Sequence, residues 1–308
     1  MTRIRTVLGD ISPDKFGLAL AHEHVLVDFI GADKASRERY NSIEVFDTML
    51  PFLDEIRQLG VTGFVDCTPA FMARDSSLLA QLSRASGLHI LTNTGLYKEP
   101  YLPRYAYEYS ADELADLWVN EIEKGTDGTP IKAGFIKIAV NPGVILPIQQ
   151  KIVRAAARCS RSTGAVIACH TVSGIAAKHL LEIINEEGLN PERLIVVHCD
   201  SETNLKYHLE IANQGAWVEY DAVREEYAER TLNLVKFIVD EGFEDRLLLS
   251  QDAGCYQVGE EKGGKIQSYA YLIRDFIPLM LRKGFKQELI NKFLIQNPAR
   301  AYKIESNL

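Results

Sequence analysis

Short apolar runs alternate with longer amphipathic segments along the chain, and this pattern predicts alternating strands and helices. The apolar runs predict β-strands near 17–23, 62–68, 89–96, 133–140, 165–170, 193–199, 216–221 and 246–252. The amphipathic segments predict helices near 45–59, 75–86, 111–124, 147–163, 174–187, 204–214, 226–241 and 268–283. A further helix is predicted near 286–295, followed by an Asn-Pro-Ala-Arg turn at 297–300. Because helices lie between the strands, the strands are expected to be parallel.

Two of the predicted strands are apolar almost throughout. The segments Val-Ile-Ala-Cys-His (166–170) and Leu-Ile-Val-Val-His-Cys-Asp (194–200) lack the alternation of a strand with one exposed face. Such runs are typical of parallel strands that are buried on both faces. Eight successive strand–helix units predict an α/β fold of the (β/α)8 TIM barrel type. No shift in composition marks a linker, so we expect a single domain over residues 1–308.

Composition and charge argue against several classes of function. The formal net charge is −8 at pH 7 and no basic run occurs, which argues against nucleic-acid binding. No stretch reaches the roughly 18 apolar residues of a membrane span, and the N-terminal segment is too charged for a secretory signal. We therefore expect a cytoplasmic protein without a membrane partner. The 5 cysteines are an odd number without close pairing, which favours reduced thiols.

Several residues that can bind metal ions lie in or directly after the predicted strands. They are His22, His24, Lys137, His170, His198 and Asp252. The C-terminal ends of barrel strands meet at one rim, where barrel enzymes carry their active sites, so these side chains are expected to converge. The period of two in a strand turns His22 and His24 to one face and turns Glu23 away as a structural anchor. A hydrogen-bonded histidine would explain any one position, but the set predicts a binuclear metal site at the C-terminal rim.

The remaining histidines and two cysteines are interpreted as packing or surface residues. His89 begins a predicted strand, and His179 and His208 lie on predicted helices. Cys169 and Cys199 adjoin candidate ligands, but strand alternation turns both thiols outward toward the helices. We therefore do not expect a thiolate metal site.

Lys137 is the unusual member of the set, because an ammonium group has no lone pair for a metal and is costly to bury. Two explanations are open. Lys137 is either a lysine of lowered pKa, as in Schiff-base enzymes, or it is carboxylated by carbon dioxide and bridges two metal ions as a carbamate. The surrounding histidines and Asp252 favour the carbamate, since a Schiff-base enzyme needs no such shell of metal ligands.

Six segments, taken in order, resemble the phosphotriesterase-related family of the amidohydrolase superfamily. They are Ala-His-Glu-His (21–24), Ala-Gly-Phe-Ile-Lys-Ile-Ala (133–139), Ala-Cys-His-Thr (168–171), Val-Val-His-Cys-Asp (196–200), Leu-Leu-Ser-Gln-Asp (248–252) and Asn-Pro-Ala-Arg (297–300). The resemblance extends over residues 15–302. It implies two divalent metal ions per chain, with zinc favoured and manganese, cobalt or iron as alternatives. It also implies a homodimer.

The resemblance further assigns roles to the candidate ligands. It implies that His22, His24 and Asp252 hold one ion, that His170 and His198 hold the other, and that carboxylated Lys137 and a hydroxide bridge them. Asp252 would then take the proton of the hydroxide and pass it to the leaving group or to solvent.

Members of this family hydrolyse small molecules, among them lactones of acyl-homoserines or sugars, and phosphotriesters. The catalytic candidates are Asp252, Lys137 and Tyr97, and the substrate-binding candidates are Tyr97, Lys98, Arg224, Tyr256 and Lys265. The charges of Lys98, Arg224 and Lys265 favour a sugar lactone as the substrate over a lactone that carries an acyl chain. Ala222 stands where relatives that act as phosphotriesterases or acyl-homoserine lactonases usually carry histidine or arginine. The alternatives are those two activities, cleavage of another ester or amide, and a binding protein that retains the scaffold.

Overall fold

The computed structural model describes residues 2–305, and a ring of parallel strands lies at its centre. The β-strands in chain order are β1 (Thr2–Thr6), β2 (Gly9–Ile11), β3 (Ala19–Val27), β4 (Gly63–Asp66), β5 (His89–Leu91), β6 (Asn93–Thr94), β7 (Phe135–Ala139), β8 (Ile167–His170), β9 (Leu194–Val197), β10 (Trp217–Tyr220), β11 (Leu247–Leu249), β12 (Gly254–Gln257) and β13 (Ile304–Glu305). The barrel consists of β3 to β11, with β5 and β6 forming one strand that is interrupted at Thr92. All eight predicted barrel strands are therefore present within residues 2–305.

Hydrogen bonds between the first and last barrel strands close the ring. The backbone N–H of Asp252 donates to the carbonyl oxygen of His22 at 3.1 Å. The backbone N–H of His22 donates to Ser250 Oγ at 2.9 Å. The remaining neighbours pair in parallel, as in the register that sets Lys137 of β7 opposite Ala168 of β8. The predicted TIM barrel is thus confirmed, and residues of the candidate site take part in its closure.

Helices cover the outside of the barrel. They are α1 (Ser42–Gln58), α2 (Ser76–Ser86), α3 (Arg104–Glu108), α4 (Ala111–Glu123), α5 (Pro147–Thr163), α6 (Gly174–Glu186), α7 (Leu205–Asn213), α8 (Ala228–Asp240), α9 (Ile277–Arg282), α10 (Gln287–Asn291) and α11 (Asn297–Ala301). Local signals fix several boundaries: α4 begins with a capping box of Ser110 and Glu113, and α2 and α5 end at Gly87 and Gly164 in the left-handed conformation. Among residues 2–305, no helix is long and apolar enough to cross a membrane.

Several parts of the fold differ from the sequence-based expectation, among them α3 and β12, which lie outside the predicted elements. The Asn-Pro-Ala-Arg segment, for which the sequence predicts a turn, is helical and forms α11. Proline is compatible with the first turn of a helix, because an N–H there would have no intrahelical partner. The side chain of Asn297 donates to the carbonyl oxygens of Glu244 and Leu247, which ties α11 to the start of β11. The antiparallel strands β1, β2 and β13 are also unpredicted, because they are short and alternate weakly.

The hydrophobic core has two parts. One lies between the strands and the helices and contains Cys169 and Cys199, as strand alternation predicts. The other fills the barrel interior. There the Tyr302 ring packs edge-to-face on Phe135 with ring centroids 5.3 Å apart, and the Tyr302 hydroxyl donates to the carbonyl oxygen of Ala21 at 2.8 Å. Because large apolar side chains fill the N-terminal half of the barrel, the polar candidates occupy its C-terminal half.

Gly95 offers a test of how closely the barrel backbone surrounds the candidate site. It has a φ of +110°, and a Cβ atom there would lie 2.1 Å from the carbonyl oxygen of Lys137. We expect Gly95→Ala to lower the free energy of unfolding by about 2–5 kcal/mol, because overpacking and a left-handed alanine both cost free energy. Urea unfolding measures the loss.

Gly128→Ala is the matched control for this prediction. Gly128 also has a positive φ, of +71°, but its Cβ would meet no described atom within 4 Å. Gly128→Ala should therefore lower the free energy of unfolding only by the conformational cost of a left-handed alanine, about 1–2 kcal/mol. Equal losses in the two variants would show that the close approach of Gly95 to Lys137 has no energetic importance.

Candidate metal centre

The structure brings all six candidate ligands together at the C-terminal end of the barrel. The His170 and His198 rings have centroids 4.4 Å apart, and the His22 ring lies 5.2 Å from that of His198. His24 Nε2 is 3.1 Å from Asp252 Oδ1. Lys137 Nζ is 3.3 Å from His22 Nε2. All six side chains line one cavity of about 160 Å³.

Two of these residues have left-handed backbone conformations. His198 has a φ of 64° and directly follows β9, and Asp252 has a φ of 50° and lies three residues beyond the end of β11. Such conformations are costly for residues with a side chain and concentrate at functional sites. They end the extended backbone at the points where the side chains of His198 and Asp252 enter the cavity.

The donor atoms suit a divalent metal ion. One nitrogen each of His22 and His24 and one oxygen of Asp252 lie within 4.8 Å of one another. Imidazole and carboxylate donors in such a group are typical ligands of zinc and related ions. On the other side of the cavity, Lys98 Nζ lies 2.6 Å from His170 Nε2. A side-chain cation thus lies against His170 Nε2, so this ring nitrogen presents a lone pair of the kind that also binds a metal ion.

The electrostatics of the site favour the metal-binding forms of His22, His170 and Asp252. Burial, followed by the charge of Lys137, lowers the pKa of His22 to about 3. Burial also lowers the pKa of His170 well below its ordinary value. Burial alone would raise the pKa of Asp252, but the hydrogen bond with His24 and the nearby histidines hold it well below its usual range. The neutral imidazoles of His22 and His170 and the ionised carboxylate of Asp252 are therefore available as ligands.

Carboxylates behind the histidines hold their rings. Asp221 Oδ1 accepts from His198 Nδ1 at 2.8 Å, and Asp221 Oδ2 lies 3.3 Å from His22 Nδ1. Glu219 Oε2 also lies 3.3 Å from His22 Nδ1. Sequence reasoning missed both acids as site residues. The signal was present, because strand alternation over 216–221 sets Glu219 and Asp221 on one face of a barrel strand.

Glu23 faces away from the cavity and anchors the chain beside Asp252, as the sequence predicts. Its Oε1 accepts from Ser250 Oγ at 2.8 Å and from the N–H of Gln251 at 3.1 Å. Its Oε2 accepts from the N–H of Ala253 at 2.7 Å. Both carboxylate oxygens thus have donors, and they fix the backbone on either side of Asp252.

The five substrate-binding candidates are not all near the cavity. Tyr97 lines it, with its hydroxyl 3.5 Å from His170 Nδ1, and Lys98 contacts the same histidine. The Arg224 guanidinium lies over the Tyr227 ring at 5.5 Å, outside the cavity lining.

Tyr256 and Lys265 do not reach the cavity, contrary to the sequence-based expectation. The β12 strand pairs with β3, and the Tyr256 hydroxyl donates to Glu44 of α1 instead. Lys265 is exposed to solvent and does not line the cavity. Two cysteines, Cys67 and Cys255, contribute to the lining.

Known proteins resemble this chain over nearly its whole length. The profile of the Phosphotriesterase family matches residues 2–302. The aryldialkylphosphatase of Saccharolobus solfataricus is 29% identical, with 95% of this chain and 96% of that protein covered. The N-acetyltaurine hydrolase of Mus musculus is 25% identical, with 96% of each chain covered. The crystal structure of a lactonase from Listeria monocytogenes superposes with a TM-score of 0.85 at 27% identity, covering 97% of this chain and 98% of that chain.

The contact between Asp221 and His198 predicts a measurable pKa change. Burial opposes protonation of His198, but the Asp221 carboxylate outweighs burial and raises the pKa of the ring. In metal-free protein, Asp221→Asn should therefore lower the pKa of His198, as followed by NMR titration of the imidazole. Asp240→Asn, which removes an exposed carboxylate paired with Lys236, should leave it unchanged. An unchanged His198 pKa in Asp221→Asn would refute this account of the contact.

Proposed function

This chain belongs to the phosphotriesterase family, and from that premise we propose that it opens lactone rings with the help of two divalent metal ions, a sugar lactone being the favoured substrate. The observation that carries the proposal is the convergence of six ligand residues on one small cavity. The likeness to a lactonase structure supports the choice of bond.

The proposed metal site uses the ligands already described. His22, His24 and Asp252 would hold one ion, and His170 and His198 the other. Lys137 would join them as a carbamate. When bound, a pair of divalent ions lowers the pKa of a water molecule toward neutrality and polarises the substrate carbonyl. Zinc is the favoured ion, although manganese, cobalt and iron accept the same donors.

Asp252 and Tyr97 are proposed to handle protons and the leaving group. The low pKa of Asp252 keeps its carboxylate ionised, and the ionised group has the lone pairs to accept the proton of the attacking water. The ring oxygen of the lactone then leaves the carbonyl carbon as an alkoxide. This alkoxide takes up the proton that Asp252 accepted. Tyr97 lines the same cavity and offers a hydroxyl to hydrogen-bond the leaving oxygen.

The size and charge of the cavity support a small polar lactone. The cavity volume of about 160 Å³ is compatible with a five- or six-membered ring. The Lys98 ammonium adds a donor for substrate hydroxyl groups. Buried donors discriminate strongly against analogues that leave them unpaired.

Two other activities remain as alternatives within the family. One is hydrolysis of acyl-homoserine lactones or of phosphotriesters. The name of the aryldialkylphosphatase relative indicates the phosphotriester activity. The other is amide cleavage, as the N-acetyltaurine hydrolase relative indicates. Both would use the same ligands, so only the preferred substrate distinguishes them.

A comparison of kcat/KM values over four substrate classes tests the proposed function. The panel contains sugar lactones, acyl-homoserine lactones, an aryl dialkyl phosphate and an N-acetyl amide. We expect the best sugar lactone to exceed each other class by more than about tenfold, which corresponds to roughly 1.4 kcal/mol of transition-state binding. A lead of that size for any other class would refute the sugar-lactone choice and leave the metal site standing.

The carbamate is tested by removing Lys137. Lys137→Ala should abolish metal retention and lower kcat/KM by at least about a hundredfold, because the bridge between the ions is lost. An added short-chain carboxylic acid should partly restore both by filling the vacated space. A Schiff-base lysine predicts the opposite pattern, in which borohydride traps a substrate adduct and added acids rescue nothing.

A further inference from the structure

Glu219 is a buried carboxylate in the barrel interior that the proposed chemistry does not use. It lies on β10, two residues before Asp221, and its side chain is fully buried. Its Oε2 lies 3.3 Å from His22 Nδ1. Its Oε1 has no hydrogen-bond partner among the described residues. Burying an incompletely paired carboxylate costs free energy, so an apolar residue would serve the fold better here.

Comparison with Glu23 shows that Glu219 is not explained by a structural role. Both side chains are fully buried in the same barrel. Each oxygen of Glu23 accepts hydrogen bonds, from Ser250, Gln251 and Ala253. Glu219 has one described partner, and that partner is a ring of the candidate metal centre. Its contribution is therefore to His22.

Asp221 contacts both histidines, and its contacts with His198 are the shorter ones. Its Oδ1 accepts from His198 Nδ1 at 2.8 Å, and its Oδ2 accepts from the backbone N–H of His198 at 3.2 Å. It reaches His22 Nδ1 only at 3.3 Å, the same distance as Glu219. The two carboxylates thus share His22: Asp221 makes its shorter contacts with His198, whereas Glu219 has His22 Nδ1 as its one hydrogen-bond partner among the described residues.

The orientation of His22 follows from this arrangement. With Nδ1 directed at the carboxylates, Nε2 faces the cavity, where it lies 3.3 Å from Lys137 Nζ and 3.7 Å from Asp252 Oδ1. Histidines that bind metals usually donate their other N–H to a carboxylate, which fixes the ring and its tautomer. We infer that Glu219 is a positioning residue that orients His22 so that the His22, His24 and Asp252 group binds its metal ion. This inference rests on the metal site of the proposed function.

Metal binding by Glu219→Ala and Glu219→Gln tests the inference without measuring turnover. Cobalt is titrated into metal-free protein, and binding is followed by the cobalt absorption spectrum and by elemental analysis. Glu219→Ala should lose affinity at one of two positions by about 10–100-fold and keep the other. Glu219→Gln, whose amide oxygen still accepts from Nδ1, should recover most of the loss. Glu44→Ala removes an exposed carboxylate remote from the site and should bind like the wild type.

The outcomes separate this inference from the proposed function. A wild type that binds fewer than two cobalt ions would overturn the metal site and the inference together. If the wild type binds two and Glu219→Ala binds both with unchanged affinity, only the positioning role fails. Urea unfolding of the metal-free proteins excludes a general loss of structure: the inference requires Glu219→Ala to be about as stable as the wild type without metal. The positioning role would also be overturned if Glu219→Ala is unfolded without metal and Glu219→Gln does not restore the folded state.

Discussion

The closure of the barrel between β3 and β11 is the constraint on which the candidate site depends. The Asp252 N–H bonds the His22 carbonyl oxygen, and Ser250 Oγ accepts from the His22 N–H. Glu23 holds the same hydroxyl and the backbone on either side of Asp252. Two candidate ligands from opposite ends of the chain are therefore joined by the bonds that close the fold. Their relative position does not depend on a flexible loop, which is what a preorganised metal site requires.

This arrangement concentrates costly features at one end of the barrel. Lys137 and Glu219 are buried there, and His198 and Asp252 adopt left-handed backbone conformations. The apolar packing around Tyr302 at the other end offsets these costs, because burial of large side chains is the main favourable contribution to folding. The barrel thus separates a stabilising half from a reactive half. Metal binding would return part of the free energy spent at the reactive end.

The sequence predicts the strands, the barrel and the convergence of the six ligand residues, because each depends on local periodicity and on the geometry of a parallel barrel. It predicts less well what depends on contacts between distant segments. Tyr256 follows a strand that leads toward the site, yet pairing of β12 with β3 places its hydroxyl on Glu44. Strand alternation places Glu219 and Asp221 on the inward face of β10, but the sequence does not indicate which histidine each carboxylate contacts.

Under the proposed function, Lys98 would connect the metal site with substrate recognition. Its ammonium donates to His170 Nε2, and that lone pair cannot bind a metal ion at the same time. A metal ion held by His170 Nε2 would therefore have to displace the Lys98 side chain, and repulsion between like charges would favour that displacement. Lys98 follows Tyr97 in the chain, and Tyr97 lines the cavity. A displaced Lys98 ammonium would therefore stay close to the opening of the cavity. Under the proposed function, the Lys98 ammonium would then be available to the hydroxyl groups of a bound substrate, which would link metal loading to substrate affinity.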